Sequence, residues 1–189
     1  MKTISTQMML VVAALGFAAF GCDSGAVGDP CIPEDEYNPR FSGFSEEEVN
    51  VESRSFQCAT RVCLVNQFRG RVSCPYGNLA AGAECNIPGT DGSNPEDVVA
   101  APVQPQLTDR REDRAVYCSC RCKNVDGKTD DGASYCECPS GFSCEKLMDD
   151  PGLGGAQLAG YYCVKEDEGG APAGECSLVE ENCPKKYDY

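Results

Sequence analysis

The chain has no histidine and no tryptophan, and only seven phenylalanines among its 189 residues. Without imidazole, Ser-His-Asp and Cys-His catalytic machinery is excluded, as are the usual catalytic zinc sites. No pair of cysteines stands in C-x-x-C spacing, which removes the thioredoxin-type redox motif and haem attachment through C-x-x-C-H. The glycine-rich run at 151–155 has no Lys-Ser/Thr after it and so is no phosphate loop. Positive charge is also scarce: 16 Lys and Arg stand against 30 Asp and Glu, for a net charge of −14. Such a body repels phosphate backbones and anionic headgroups, so no nucleic-acid partner is expected and membrane attachment cannot be electrostatic. Twenty glycines and twelve prolines limit the apolar core, so burial alone would leave a chain of this size marginal.

Cysteine is abundant instead, at fifteen residues. The first, Cys22, follows a leader in which Lys2 precedes the uncharged apolar run from Met8 to Phe20. That run suits a signal peptide and is shorter than the ~20 residues that span a bilayer. Residues 1–21 therefore read as a signal peptide. The sequence Ala19-Phe20-Gly21-Cys22 resembles the lipobox of bacterial lipoprotein precursors, although that family commonly carries a larger aliphatic residue at the Ala19 position. The resemblance implies lipid attachment at Cys22, with the lipid holding the protein on a membrane of the cell envelope. Residues 22–30, small and breaker-rich, would form the lipidated tether.

Removing Cys22 from the count leaves an even fourteen: Cys31, Cys58, Cys63, Cys74, Cys85, Cys118, Cys120, Cys122, Cys136, Cys138, Cys144, Cys163, Cys176 and Cys183. In an exported protein that parity predicts seven disulfides. The expected fold class is a small disulfide-rich protein, mainly β hairpins and irregular loops. A first cysteine-rich lobe (31–88), a connector (89–108), a second lobe (109–165) and an acidic tail (166–189) follow from cysteine density. The connector contains no cysteine and has no sustained period, which predicts an exposed stretch. Five cysteines precede it and seven lie between it and the tail, both odd numbers. If all pair, at least one bridge from the first group must cross the connector.

Residues 63–74 suggest a hairpin turning at Asn66 to Gly70, and the alternation from Val49 suggests another strand. Cys118, Cys120 and Cys122 would share one face of an extended strand, with Cys136 and Cys138 on an antiparallel partner able to reach two of them. The same cysteines could as thiolates hold zinc or copper(I), but export favours disulfides. The segment Cys136-Glu-Cys138-Pro-Ser-Gly141-Phe142-Ser-Cys144 resembles the closing portion of an EGF-like module, over nine residues only. With its leader, the GDPC opening, CATRVCL, CSCRC and CPSGFSC, the chain is similar to uncharacterised cysteine-rich lipoproteins of Gram-negative bacteria. That likeness implies an address at the membrane or cell surface and no activity.

Two polar constellations complete the reading. Asn124, Asp126, Asp130 and Asp131 recur among glycines as in cation-binding turns, yet Lys128 occupies a position where the EF-hand pattern needs an oxygen. An ordinary solvated turn is the simpler account. Arg61, Arg69 and Arg71 form a small basic cluster, expected to pair with local acids such as Glu46, Glu47 and Glu48. No catalytic residue and no cofactor is implied. The expected function is a non-enzymatic binding or structural module of the envelope, facing an extracytoplasmic protein or glycan. A divalent-cation-binding module and a secreted inhibitor are the alternatives.

Overall fold

A computed structural model describes residues 24–150, 152, 157–166 and 174–183. Cys22 and its leader lie outside the described residues. Among those described, no helix is long and apolar enough to cross a membrane. The described residues form a small, mainly β architecture, with two antiparallel three-stranded sheets, one turn of α-helix, two 3-10 turns and long irregular loops.

The first sheet has the order β1 (Val49–Glu52), β2 (Val62–Asn66), β3 (Val116–Ser119). Val62-Cys-Leu-Val is rich in β-formers, and as the central strand it is buried on both faces from Cys63 onward. A single helical turn, α1 (Glu112–Ala115), leads into β3. The outer edge of β3 is covered by residues expected to belong to the 22–30 tether: Gly28 N–H donates to Cys118 O at 2.8 Å and Cys118 N–H to Asp29 O at 2.8 Å. This leaves no open backbone edge there to pair with another chain.

The second sheet has the order β4 (Arg121–Lys123), β6 (Gly160–Lys165), β5 (Phe142–Met148). Only Cys120 separates β3 from β4, so one continuous run of backbone enters both sheets. The junction is tightened by Ser119 Oγ donating to Cys163 O at 2.7 Å and by Cys163 N–H donating to Cys120 O at 3.0 Å. An edge-to-face contact between Tyr117 and Phe142, centroids 5.5 Å apart, adds apolar packing.

Seven disulfides hold this frame: Cys31–Cys63, Cys58–Cys118, Cys74–Cys85, Cys120–Cys136, Cys122–Cys144, Cys138–Cys163 and Cys176–Cys183. Cysteines belong to all three apolar clusters of the core. Cys58–Cys118 crosses the 89–108 stretch, as the odd cysteine counts require. The disulfides do not follow strand register. Cys63 stands opposite Cys118 in the first sheet and Cys144 opposite Cys163 in the second, yet each of the four bonds elsewhere. Bridges between strands already joined by a ladder would add little order; instead Cys31–Cys63, Cys58–Cys118 and Cys138–Cys163 fasten loops to strands, and Cys122–Cys144 ties the two outer strands of the second sheet.

Several expectations are corrected. The three cysteines of CSCRC do not share one strand face, because the strand is interrupted at Cys120. Cys136 and Cys138 lie outside the strands, and only Cys136 of the two reaches the CSCRC run, at Cys120. Residues 63–74 are no hairpin either. β2 pairs with β1 and β3, while Gly70 pairs with Phe44 and Arg71 folds back on Cys74. The reason is Arg71, which is buried in the core and not on a solvent-facing strand. Its guanidinium donates to the carbonyls of Glu36, Asn38 and Phe41 and lies 3.9 Å from the Glu36 carboxylate. That carboxylate in turn accepts the N–H groups of Val72 and Ser73, and Gln106 Nε2 donates to Arg71 O at 2.9 Å. Every partner of the carboxylate is a donor, the set an ionised group needs.

The stretch at 89–108 is largely exposed up to Val98, then mixes exposed residues (Ala100, Pro102 and Gln104) with buried ones. Val99, Val103 and Gln106 are buried. Asn78 holds this backbone as a neighbouring strand would: its amide donates to Ala101 O at 2.8 Å and accepts Val103 N–H at 2.8 Å. Two glycines let the chains touch. Gly70 and Gly77 both have positive φ, and a Cβ would stand 2.6 Å from Gln104 O at the first and 2.3 Å from Val103 O at the second. The tail also returns to this stretch, with Cys176 N–H donating to Gln106 O at 2.9 Å and Glu175 paired with Arg69 at 2.9 Å.

Candidate binding groove

The sulfur-dense region can be weighed as a metal centre from its bonding. Three groups of three sulfurs lie within 4.8 Å of one another: Cys31, Cys58, Cys118; Cys120, Cys136, Cys163; and Cys122, Cys138, Cys163. Each contains one bonded pair, and its third member is bonded to a further cysteine. The crowding is that of disulfides packed on disulfides. Cys163 Sγ, for instance, lies 3.6 Å from both Cys120 Sγ and Cys136 Sγ. Sulfur in that state carries no thiolate charge for a metal.

In the loop with Asn124, Asp126, Asp130 and Asp131, the Asn124 and Asp131 oxygens bond within the loop, while Asp126 and Asp130 are exposed. Asn124 Oδ1 accepts the N–H groups of Asp126 at 3.1 Å and Lys128 at 2.8 Å. Asp131 accepts Ala133 N–H at 3.1 Å, the Tyr135 hydroxyl at 2.6 Å and the Asn124 amide at 3.2 Å. These are the bonds of a self-closing turn, as in Asx motifs. The arginine cluster is dispersed: Arg71 is in the core, Arg69 pairs with Glu175, and Arg61 lies over the Phe56 ring at 4.0 Å. Glu46, Glu47 and Glu48, the expected acids, are not the recorded partners.

A groove of about 510 Å³ lies between two segments that the disulfides fix. Its walls are Ile32, Glu34 and Tyr37 on one side and Glu52, Arg54, Ser55, Phe56 and Gln57 on the other. The first segment begins at Cys31 and passes into a 3-10 turn, Glu34–Tyr37. The second leaves the end of β1 and runs to Cys58. In the ladder Glu52 stands opposite Cys63, which is bonded to Cys31, while Cys58 is bonded to Cys118 of β3. The two walls are also joined directly. Gln57 Oε1 accepts Ile32 N–H at 2.9 Å, its Nε2 donates to Ile32 O at 2.8 Å, and Glu34 N–H donates to Glu52 Oε2 at 3.0 Å.

Three properties set this groove apart from ordinary surface. Phe56 is 80% exposed and Tyr37 49% exposed, so two aromatic rings face solvent on a rigid frame. Ser55 is only 2% exposed, and its hydroxyl has no hydrogen-bond partner among the described residues. An unpaired buried hydroxyl costs about 1–3 kcal/mol, and such groups ask for an explanation such as a missing partner. Burial pushes the Glu52 carboxyl above its ordinary range, helped by the charges of Glu34 and Asp35 and opposed by the bond from Glu34 N–H. Tyr37 is likewise pushed up, first by burial and then by Glu36 and Glu52.

Sequence reasoning did not single out these residues. Phe56 sits in Ser-Arg-Ser-Phe-Gln-Cys, an aromatic among polar residues beside a disulfide cysteine. That isolation was the available signal, but only the Cys31–Cys63 and Cys58–Cys118 bridges bring it beside Tyr37. Compared with known protein families, curated proteins and solved structures, the chain matches none.

Proposed function

We propose that the protein is a non-enzymatic lipoprotein of the cell envelope, held to a membrane by lipid on Cys22, whose disulfide-locked body offers the 32–37/52–57 groove to an extracytoplasmic partner. The observation that carries the binding role is the pair of solvent-facing rings, Phe56 and Tyr37, on walls fixed by Cys31–Cys63 and Cys58–Cys118. A surface whose aromatic groups are immobilised in advance loses little conformational entropy on binding. Aromatic residues are also the usual anchors of binding hot spots. The acidic body supports attachment through lipid over attachment through charge.

Two measurements test the two halves of this reading. Substituting Cys22→Ser should move the protein from the membrane fraction to the soluble fraction, and unchanged retention would end the lipoprotein assignment. A photoreactive phenylalanine analogue at position 56 should give a discrete adduct in intact cells, whereas the same analogue at exposed Val179, in the tail, should not. Equal adducts from both sites, or none from either, would remove the groove from its role.

A further inference from the structure

We propose that the groove takes the side chain of a lysine or arginine presented by a partner protein. This deepens the reading of the groove as the binding face and rests on it. The chemistry of the walls makes the choice. Ile32, Tyr37 and Phe56 offer apolar and aromatic surface to an aliphatic stem, and Glu34 and Glu52 offer carboxylates to the charged head. Long basic side chains are built in this way, with an apolar stem and a cationic end. Phe56 already accepts a cation, since the Arg61 guanidinium lies 4.0 Å from its ring centroid. Asp35 adds to the negative potential that acts on Glu52. Arg54 and Arg61 offset part of this charge, but with three carboxylates against two guanidinium groups the face stays acidic, as does the whole chain at −14.

Ser55 also lines the groove, but its hydroxyl oxygen is fully buried, so contact with a ligand falls to its exposed neighbours Phe56 and Tyr37. A glycan suits the site less well. Sugar hydroxyls are held by side chains that both donate and accept, and the one amide of the groove, Gln57, has its oxygen and its nitrogen engaged by Ile32. Apart from the exposed Arg54 guanidinium, what remains open on the walls is the Glu34 and Glu52 carboxylates and aromatic surface, which fits a cation.

The test uses the intact oxidised protein and three blocked tripeptides, Gly-Lys-Gly, Gly-Arg-Gly and Gly-Glu-Gly, with a chitin oligosaccharide as the glycan arm, followed by NMR. The lysine and arginine peptides should give saturable shifts at Ser55, Phe56 and Tyr37 with a dissociation constant on the order of 1 mM. Glu52→Gln and Phe56→Ala should each weaken this at least about fivefold, in keeping with a lost charge or cation–π contact. Phe56 is exposed and Glu52 half-buried, and a retained spectrum elsewhere shows that the fold is intact. No saturable shift with the basic peptides, an equal response to the glutamate peptide, or a response to the oligosaccharide alone would overturn the assignment. If the position-56 adduct still forms in cells while the basic peptides fail, only the ligand class falls; if both fail, the groove loses its role.

Discussion

Removing the one bridge between the first five cysteines and the rest should cost more than removing any other single bridge. Cys58–Cys118 closes a sequence separation of 60 residues, for which the chain-entropy relation gives about 4 kcal/mol. Cys74–Cys85, lying inside that loop, shortens the effective contour, but the dependence is logarithmic and the figure falls by only a few tenths of a kcal/mol. Cys176–Cys183 closes a separation of only 7, worth about 2 kcal/mol by the same relation. Cys58, Cys118 and Cys183 are fully buried and Cys176 is nearly so, so truncation carries a cavity cost in both pairs and loop length makes the difference between them. Guanidinium unfolding of Cys58→Ala/Cys118→Ala and of Cys176→Ala/Cys183→Ala, each with its other six bridges verified by thiol titration, measures the difference. A loss below about 1 kcal/mol for the first pair, or equal losses for both, would refute the reasoning, because loop length would then not govern these bridges. A protease provides a second readout. Cleavage within the exposed stretch 89–98 should leave the wild-type fragments joined on a non-reducing gel and the Cys58→Ala/Cys118→Ala fragments separate.

Glu36→Gln should destabilise the protein by about 3–5 kcal/mol, since it leaves the Arg71 charge buried without its counter-ion. Glu36→Leu combined with Arg71→Met should recover most of that, and a cost below about 1 kcal/mol for the single change would show that the pair does not hold the core. Glu52→Gln should leave stability at neutral pH unchanged or slightly higher. Its carboxyl is raised in the fold, so wild type loses stability relative to the variant as pH climbs from the ordinary carboxylate value through the folded one. A difference that grows in favour of wild type over that interval would contradict this sign. Protein purified oxidised should carry no stoichiometric zinc or copper and keep its melting temperature in chelator, while reductant collapses it; bound metal with chelator-induced unfolding would reverse the account of the sulfur clusters.

Sequence alone was enough to read the class of fold and its chief source of order. An even set of fourteen cysteines, odd groups on either side of 89–108, and scarce large apolar residues required a cross-linked body with a bridge over that stretch. Composition carries such conclusions because they depend on counting, and the β1 segment was legible because alternation is local. Pairing was not legible. Strand register would join Cys63 to Cys118 and Cys144 to Cys163, and in the fold these face each other but bond elsewhere, because the path of the loops decides which sulfurs meet. Arg71 looked like part of a surface cluster, and only the tertiary fold places the Glu36 carboxylate where it can hold that charge inside. The 89–108 stretch showed no periodicity because its order comes from Asn78 and from the room left by Gly70 and Gly77, partners distant in sequence. The groove has the same origin. Tyr37 and Phe56 are unremarked residues in separate loops until two disulfides and the Gln57 amide bring their segments together, and it is that convergence, a property of no single segment, that creates a candidate site.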